Sequence, residues 1–114
     1  MTTTIYGIKN CDTMKKAFKW LDENSVSYNF HDYKKSAVDT DILKQAIDEH
    51  GWETVINRRG TTWRKLPENV KNTMDADKAI TTATENPSLI KRPLLVHKGE
   101  TTLGFKPETY KEIF

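Results

Sequence analysis

The chain has 114 residues, a formal net charge of +2 and 36% hydrophobic residues, with a mean hydropathy of −0.72. Such a length suits one domain with a small core, here expected to span 1–114, and no run is long and apolar enough to cross a membrane. Basic and acidic residues alternate along it, so charge gives no ground for nucleic-acid binding. A single cysteine excludes an internal disulfide and, with no charged-then-apolar leader pattern, suits a reducing cytoplasm.

Residues 3–8 form a short run expected as a strand, and 9–13 read as a turn. From Met14 the apolar side chains fall at Met14, Ala17, Phe18 and Leu21, the spacing of a helix running to about Asn24. Lys15, Lys16 and Lys19 lie off that stripe. Residues 26–32 alternate apolar and polar, as a strand with one buried face does. Strand, helix and strand in succession make a βαβ unit with parallel strands.

Asp39 or Thr40 caps the next helix, which carries Ile42, Leu43, Ala46 and Ile47 and stops at Gly51. A stretch rich in tryptophan and arginine follows over 52–66, closed by Pro67. Residues 75–85 read as a helix with Ala76, Ala79, Ile80 and Ala83 on one side, ended by Asn86-Pro87, and 88–90 as a helical turn. Residues 94–97 and 101–105 flank a turn and form a hairpin. Pro107 suits the first position of a last helix, with Tyr110, Ile113 and Phe114 on its apolar side.

The order βαβ, helices, ββα is that of an α/β, thioredoxin-like fold with a mixed sheet. Its core would be 1–33 and 88–114, with a helical insertion over 34–87. In that fold a reactive cysteine follows the first strand and a cis-proline precedes the third. Cys11 and Pro93 occupy those places, and the Arg92–Pro93 bond is expected to be cis.

Cys11 lies where a strand hands over to a helix, among polar neighbours. Unpaired N–H groups and the positive end of the helix dipole favour thiolate, the nucleophilic form. Lys15 and Lys16 are expected to assist and Asp12 to oppose. Met14 stands where the second cysteine of a Cys-x-x-Cys motif would be. An outside thiol, such as glutathione or another protein, must therefore open any mixed disulfide formed at Cys11. Arg92, beside Pro93, would lie close to that sulfur and could hold an anion bidentately. For Arg58, Arg59 and Arg64 a solvated basic face and a share in the site are both open. His31, His50 and His97 have no metal-ligand spacing, and no metal is expected. Lys34-Lys35 reads as a solvated turn.

Three segments resemble the ArsC/Spx family, and within it the YffB-type branch of small ArsC-like reductases. They are Gly7-Ile8-Lys9-Asn10-Cys11-Asp12-Thr13-Met14-Lys15-Lys16-Ala17, Asn57-Arg58-Arg59-Gly60-Thr61-Thr62-Trp63-Arg64-Lys65-Leu66 and Leu89-Ile90-Lys91-Arg92-Pro93. The resemblance implies a thioredoxin-like fold with a helical insertion and a glutathione-dependent thiol reductase. Its substrates would be mixed disulfides or an arsenate-like oxyanion. Glutathione would be the co-substrate, glutathione or a glutaredoxin-like protein the reductant, and no cofactor would be bound.

Carried over by position, the family's nucleophile is Cys11 and its arginine before the proline is Arg92. Its insertion arginine falls near Asn57, with Arg58 and Arg59 displaced by one and two positions, and its third falls on Lys106 ahead of Pro107. The expected site is thus Cys11 as nucleophile, with Arg92, Arg59, Lys106 and Asn10 for the anion and Pro93 shaping the loop. The Spx branch implies an alternative, a regulator that binds the RNA polymerase α subunit without turnover. That branch usually carries Cys-x-x-Cys.

Overall fold

In the computed structural model, which describes residues 3–114, the chain divides into two units. One combines the chain up to Ser36 with Arg92–Phe114, and the other is Ala37–Lys91. In the first unit strand β1 (Thr3–Gly7) pairs in parallel with β2 (Asn29–Asp32) and antiparallel with β3 (Leu94–His97). Strand β4 (Glu100–Leu103) completes a mixed sheet of order β2-β1-β3-β4. Ile5 stands opposite Phe30 on one side and Leu95 on the other, so one face of the sheet is apolar across three strands. Helix α1 (Asp12–Glu23) lays Met14, Ala17 and Leu21 on that face, and Tyr110 of the C-terminal helix, over Pro107–Ile113, joins them. Together with Ile5 and Leu95 these residues are fully buried and form the unit's core.

Several boundaries differ from the sequence expectation, for local reasons. Helix α1 begins at Asp12 rather than Met14, which makes Cys11 its N-cap residue, with φ −140° and ψ 130°. The second strand covers 29–32 and not 26–32. After α1 the chain turns at Ser25 (φ 56°), and the Val26 N–H bonds back to the Leu21 carbonyl at 2.9 Å. Val26 is therefore part of the helix exit and packs on the core from there. The hairpin forms as expected, over a tight turn in which Lys98 and Gly99 both have positive φ (55° and 78°), the combination that matches strand twist. Its second strand ends at Leu103, because Gly104 leaves the strand with φ 74°.

The second unit is helical. Helix α2 (Thr40–His50) starts at Asp39, whose carboxylate accepts from the Asp41 and Ile42 N–H groups. The tryptophan- and arginine-bearing stretch becomes α3 (Trp52–Val55) and α4 (Thr61–Arg64). Pro67, expected only to close that stretch, also begins α5 (Glu68–Asn72), since its carbonyl accepts from the Val70 and Lys71 N–H groups. Helix α6 (Ala76–Glu85) is capped by Asp75, and a 3-10 turn Pro87–Leu89 follows; the C-terminal helix is then α7. Val38, Leu43, Ala46, Ile47, Val55, Ile56, Ala79, Ala83, Leu89 and Ile90 are the buried apolar residues of this unit.

Two positions in the first unit's core give tests. A Cβ on Gly7 would sit 2.6 Å from Met14 Sδ and 2.8 Å from its Cε, inside van der Waals contact, and Met14 is fully buried. Gly7→Ala should destabilise the fold by about 1–3 kcal/mol, the usual cost of overpacking. A denaturant cycle with Met14→Ala should show a coupling of about 1 kcal/mol or more if that contact is the cause. Tyr110 is fully buried against Trp20, Phe105 and Phe114, and its hydroxyl has no hydrogen-bond partner among the described residues. Burial pushes its ionisation far up. Tyr110→Phe should therefore leave stability unchanged or raise it by about 1 kcal/mol, because a buried unsatisfied polar group costs on that order.

Candidate thiol site

The short connection from β1 delivers the chain to the start of α1, and Cys11 occupies the N-cap itself. Its carbonyl accepts the first helical bond, from the Lys15 N–H at 2.9 Å. Its side chain is half-buried against the core cluster. Four orphan N–H groups mark any helix start, and two of them, on Thr13 and Met14, point at the sulfur. The neutral thiol closes no ordinary side-chain cap there. A thiol is a weak acceptor and a thiolate a strong one, so those donors act mainly on the charged form.

The balance of effects at Cys11 favours ionisation. Burial pushes the thiol's pKa up, and this is the largest single influence. The Met14 N–H, a hydrogen bond from the Arg92 guanidinium, the Thr13 N–H and the positive charge of Arg92 together outweigh it, so the pKa is lowered. Lys15 and Lys16, expected from the sequence to contribute, are both exposed and have no part in the shift. An exposed lysine is screened by water, while the half-buried arginine reaches the sulfur itself.

Arg92 is held by the loop that enters β3. The Arg92–Pro93 peptide is cis, and Pro93 is fully buried. The Pro93 carbonyl accepts from the Gly104 N–H at 2.9 Å, which ties the loop to the exit of β4. Gly104 can make that bond because its positive φ costs glycine little.

The other expected site residues are placed as follows. Asn10 is exposed and lines a cleft of about 480 Å³ with Lys9, Lys15, Phe18, Tyr28, Phe30, Asp32 and Lys35. Sequence reasoning missed this cleft. The signal was there in the aromatic residues Phe18, Tyr28 and Phe30, read only as core-facing positions. Lys106 is the exposed N-cap residue of α7, and no hydrogen bond or ion pair of its side chain to Cys11 occurs. Arg59 belongs to the helical unit. There its N–H donates to Asn57 Oδ1 at 3.2 Å, and its side chain lines a polar cleft of about 570 Å³ with Glu53, Arg58 and Lys91. Arg58 pairs with Glu53 at 3.7 Å and stands 5.7 Å over the Trp52 ring. No group of three metal-ligating side chains occurs among the described residues.

Alkylation by iodoacetamide as a function of pH should give a midpoint for Cys11 below the ordinary ~8.5. The rate should fall as pH drops through that midpoint. Arg92→Ala removes a hydrogen bond and a charge that favour thiolate, so it should move the midpoint upward. A midpoint unmoved by Arg92→Ala would show that the guanidinium does not act on the sulfur.

The ArsC family model matches residues 6–113 of this chain. Among solved structures, the YFFB protein is 53% identical, with 98% of each chain covered and a TM-score of 0.95. An arsenate reductase (ArsC) related protein from Brucella melitensis is 48% identical over 98% of this chain and 93% of its own, with a TM-score of 0.77. The global transcriptional regulator Spx of Streptococcus agalactiae is 27% identical over 107 residues, 92% of this chain and 77% of the regulator. A four-stranded mixed sheet, a half-buried cysteine capping the first helix and an arginine before a cis-proline agree with a match over nearly the whole length: the chain belongs to the ArsC family.

Proposed function

We propose that this protein is a single-cysteine thiol reductase that uses glutathione and acts on glutathione mixed disulfides. The observation that carries the reading is the Cys11 sulfur at the N-terminus of α1, with a lowered pKa and the Arg92 guanidinium hydrogen-bonded to it. Thiolate is the form that attacks a disulfide, and the absence of a second cysteine leaves only an external thiol to finish the cycle.

The steps balance with glutathione alone. The Cys11 thiolate attacks the glutathione sulfur of a mixed disulfide. The old S–S bond breaks, a Cys11–glutathione disulfide forms, and the displaced thiolate takes a proton. A second glutathione, as thiolate, then attacks that bond and leaves as oxidised glutathione, restoring the Cys11 thiolate. Arg92 stabilises the sulfur anion at both ends of the cycle and offers its remaining donors to a carboxylate, which a lysine could not do in the same fork geometry. The backbone at Pro93 pairs with the peptide backbone of glutathione, and Lys106 is the polar group left for its outer carboxylate. An arsenate-like oxyanion is the other electrophile that the same thiolate and guanidinium suit. A cytoplasmic setting, where glutathione is abundant and reduced, fits the chemistry.

The likeness to Spx supports a second reading, a regulator that docks on RNA polymerase through its α subunit with no turnover, in which Cys11 is dispensable. Assaying deglutathionylation and titrating glutathione by calorimetry separate the two. Cys11→Ser should abolish turnover. Arg92→Ala should weaken glutathione about tenfold or more, since a charge-assisted hydrogen bond contributes on the order of 1.5–3 kcal/mol. Arg92→Lys should also be damaging. Arg59→Ala, whose position is displaced from the family arginine, should weaken binding less. Wild-type protein without turnover, together with unchanged affinity in Arg92→Ala, would favour the regulator.

A further inference from the structure

The cleft beside Cys11 has a composition that the thiol chemistry does not use. Its floor is aromatic: Phe18 lies 5.7 Å from Tyr28 in a stacked arrangement and 5.0 Å from Phe30 edge-on. All three rings are only half-buried, packed on the core on one side and open to the cleft on the other. The Tyr28 hydroxyl bonds to Asp22, which holds that ring in place. The rim is basic. Lys9, Lys15 and Lys35 line it, all exposed, and none forms an ion pair among the described residues. The single acid there, Asp32, turns Oδ1 to the Lys34 N–H at 2.9 Å.

Position links this cleft to the sulfur. Asn10 and Lys9 precede Cys11 directly and line the cleft. Lys15 and Phe18 stand about one and two turns along α1 from the Cys11 cap, on the same side of the helix. The cleft thus begins at the residues next to Cys11 in the chain, with Lys15 and then Phe18 following along α1. The volume of about 480 Å³ lies within the ordinary range of ligand pockets.

We infer that this cleft is the subsite for the protein moiety of the mixed disulfide, and that it selects an aromatic side chain flanked by carboxylates. The inference rests on the reductase reading above and adds its substrate class. The aromatic group stacks on Phe18, Tyr28 and Phe30, and its acidic neighbours meet Lys9, Lys15 and Lys35. Glutathione is left to Arg92, which is hydrogen-bonded to the sulfur and is not among the residues that line the cleft.

Two measurements test it. In the first, labelled protein is titrated with acetyl-Glu-Phe-Glu-Ser-amide and with acetyl-Lys-Ser-Lys-Ser-amide, peptides that cannot form a disulfide. Saturable amide shifts at Phe18, Tyr28, Phe30 and Lys35 are expected with the first peptide, at least about tenfold tighter than with the second, as pocket discrimination commonly gives. Shifts elsewhere, or equal binding of both, overturn the inference. In the second, the glutathionylated peptides Glu-Phe-Glu-Cys and Lys-Ser-Lys-Cys are compared as substrates. The acidic aromatic peptide should have the higher kcat/KM by a similar factor, and Lys15→Glu/Lys35→Glu should erase or reverse the preference. Both of those lysines are exposed, so folding should survive the change. Selective binding with no turnover of either peptide would overturn the reductase reading and leave the cleft's specificity standing. Equal turnover of both with no cleft shifts would do the reverse.

Discussion

The start of helix α1 packs closely on the end of β1 at Gly7, a residue without a side chain. Met14 occupies the space where a Cβ would be, with its Sδ 2.6 Å from that position, and this contact sets how near the start of the helix comes to the end of β1. The chain has only residues 8–11 in which to turn from strand to helix. The contact at Gly7 and this short connection together place the N-cap, and the N-cap is the cysteine. Met14 has two parts in this arrangement. Its side chain fills the core at Gly7, and its backbone N–H faces the Cys11 sulfur. Packing and reactivity thus share one residue, and a change that loosens the first disturbs the second.

The site then depends on opposition between burial and donors. Half-burial alone would hold Cys11 as a neutral thiol, since taking charge from water is costly. It also does something useful, because donors act more strongly where water is scarce. Two helical N–H groups and one guanidinium are enough to reverse the sign. The guanidinium is available because the loop around Pro93 is fixed at its far end by Gly104. The glycine after β4, the buried proline and the arginine before it act as one support. None of the three touches chemistry by itself except through Arg92.

Much of this was legible in the sequence. The alternation of strand and helix signals located β1, α1, the hairpin and α7, because each is a local pattern: apolar spacing, a turn residue, a proline suited to N1. The helix cap at Asp39 was equally local, a short carboxylate reaching the next N–H groups, whereas Asp75, read as the first residue of its helix, is the cap before it. Where the reading was off by a few residues, a competing local interaction had won. Val26 had strand chemistry but was captured by the end of α1, and Pro67 looked like a stop but its carbonyl could start a helix. The nucleophile could also be named from sequence, since one cysteine in a polar strand-to-helix turn leaves little choice.

What charges the thiolate was decided by tertiary structure. Linear proximity favoured Lys15 and Lys16, four and five residues from Cys11, yet both face water. The effective cation is Arg92, distant in the chain and brought to the sulfur by antiparallel pairing of β3 with β1. The aromatic cleft is of the same kind. Phe18 on α1 and Tyr28 and Phe30 at and beside β2 each looked like core residues, as they are on one side. Only the placement of the helix against the edge strand leaves their other side open and rings it with lysines. Residue type and spacing determine which groups a chain can offer. Which of them meet, and how much water stays between them, is set by long-range packing, and electrostatic strength depends steeply on both.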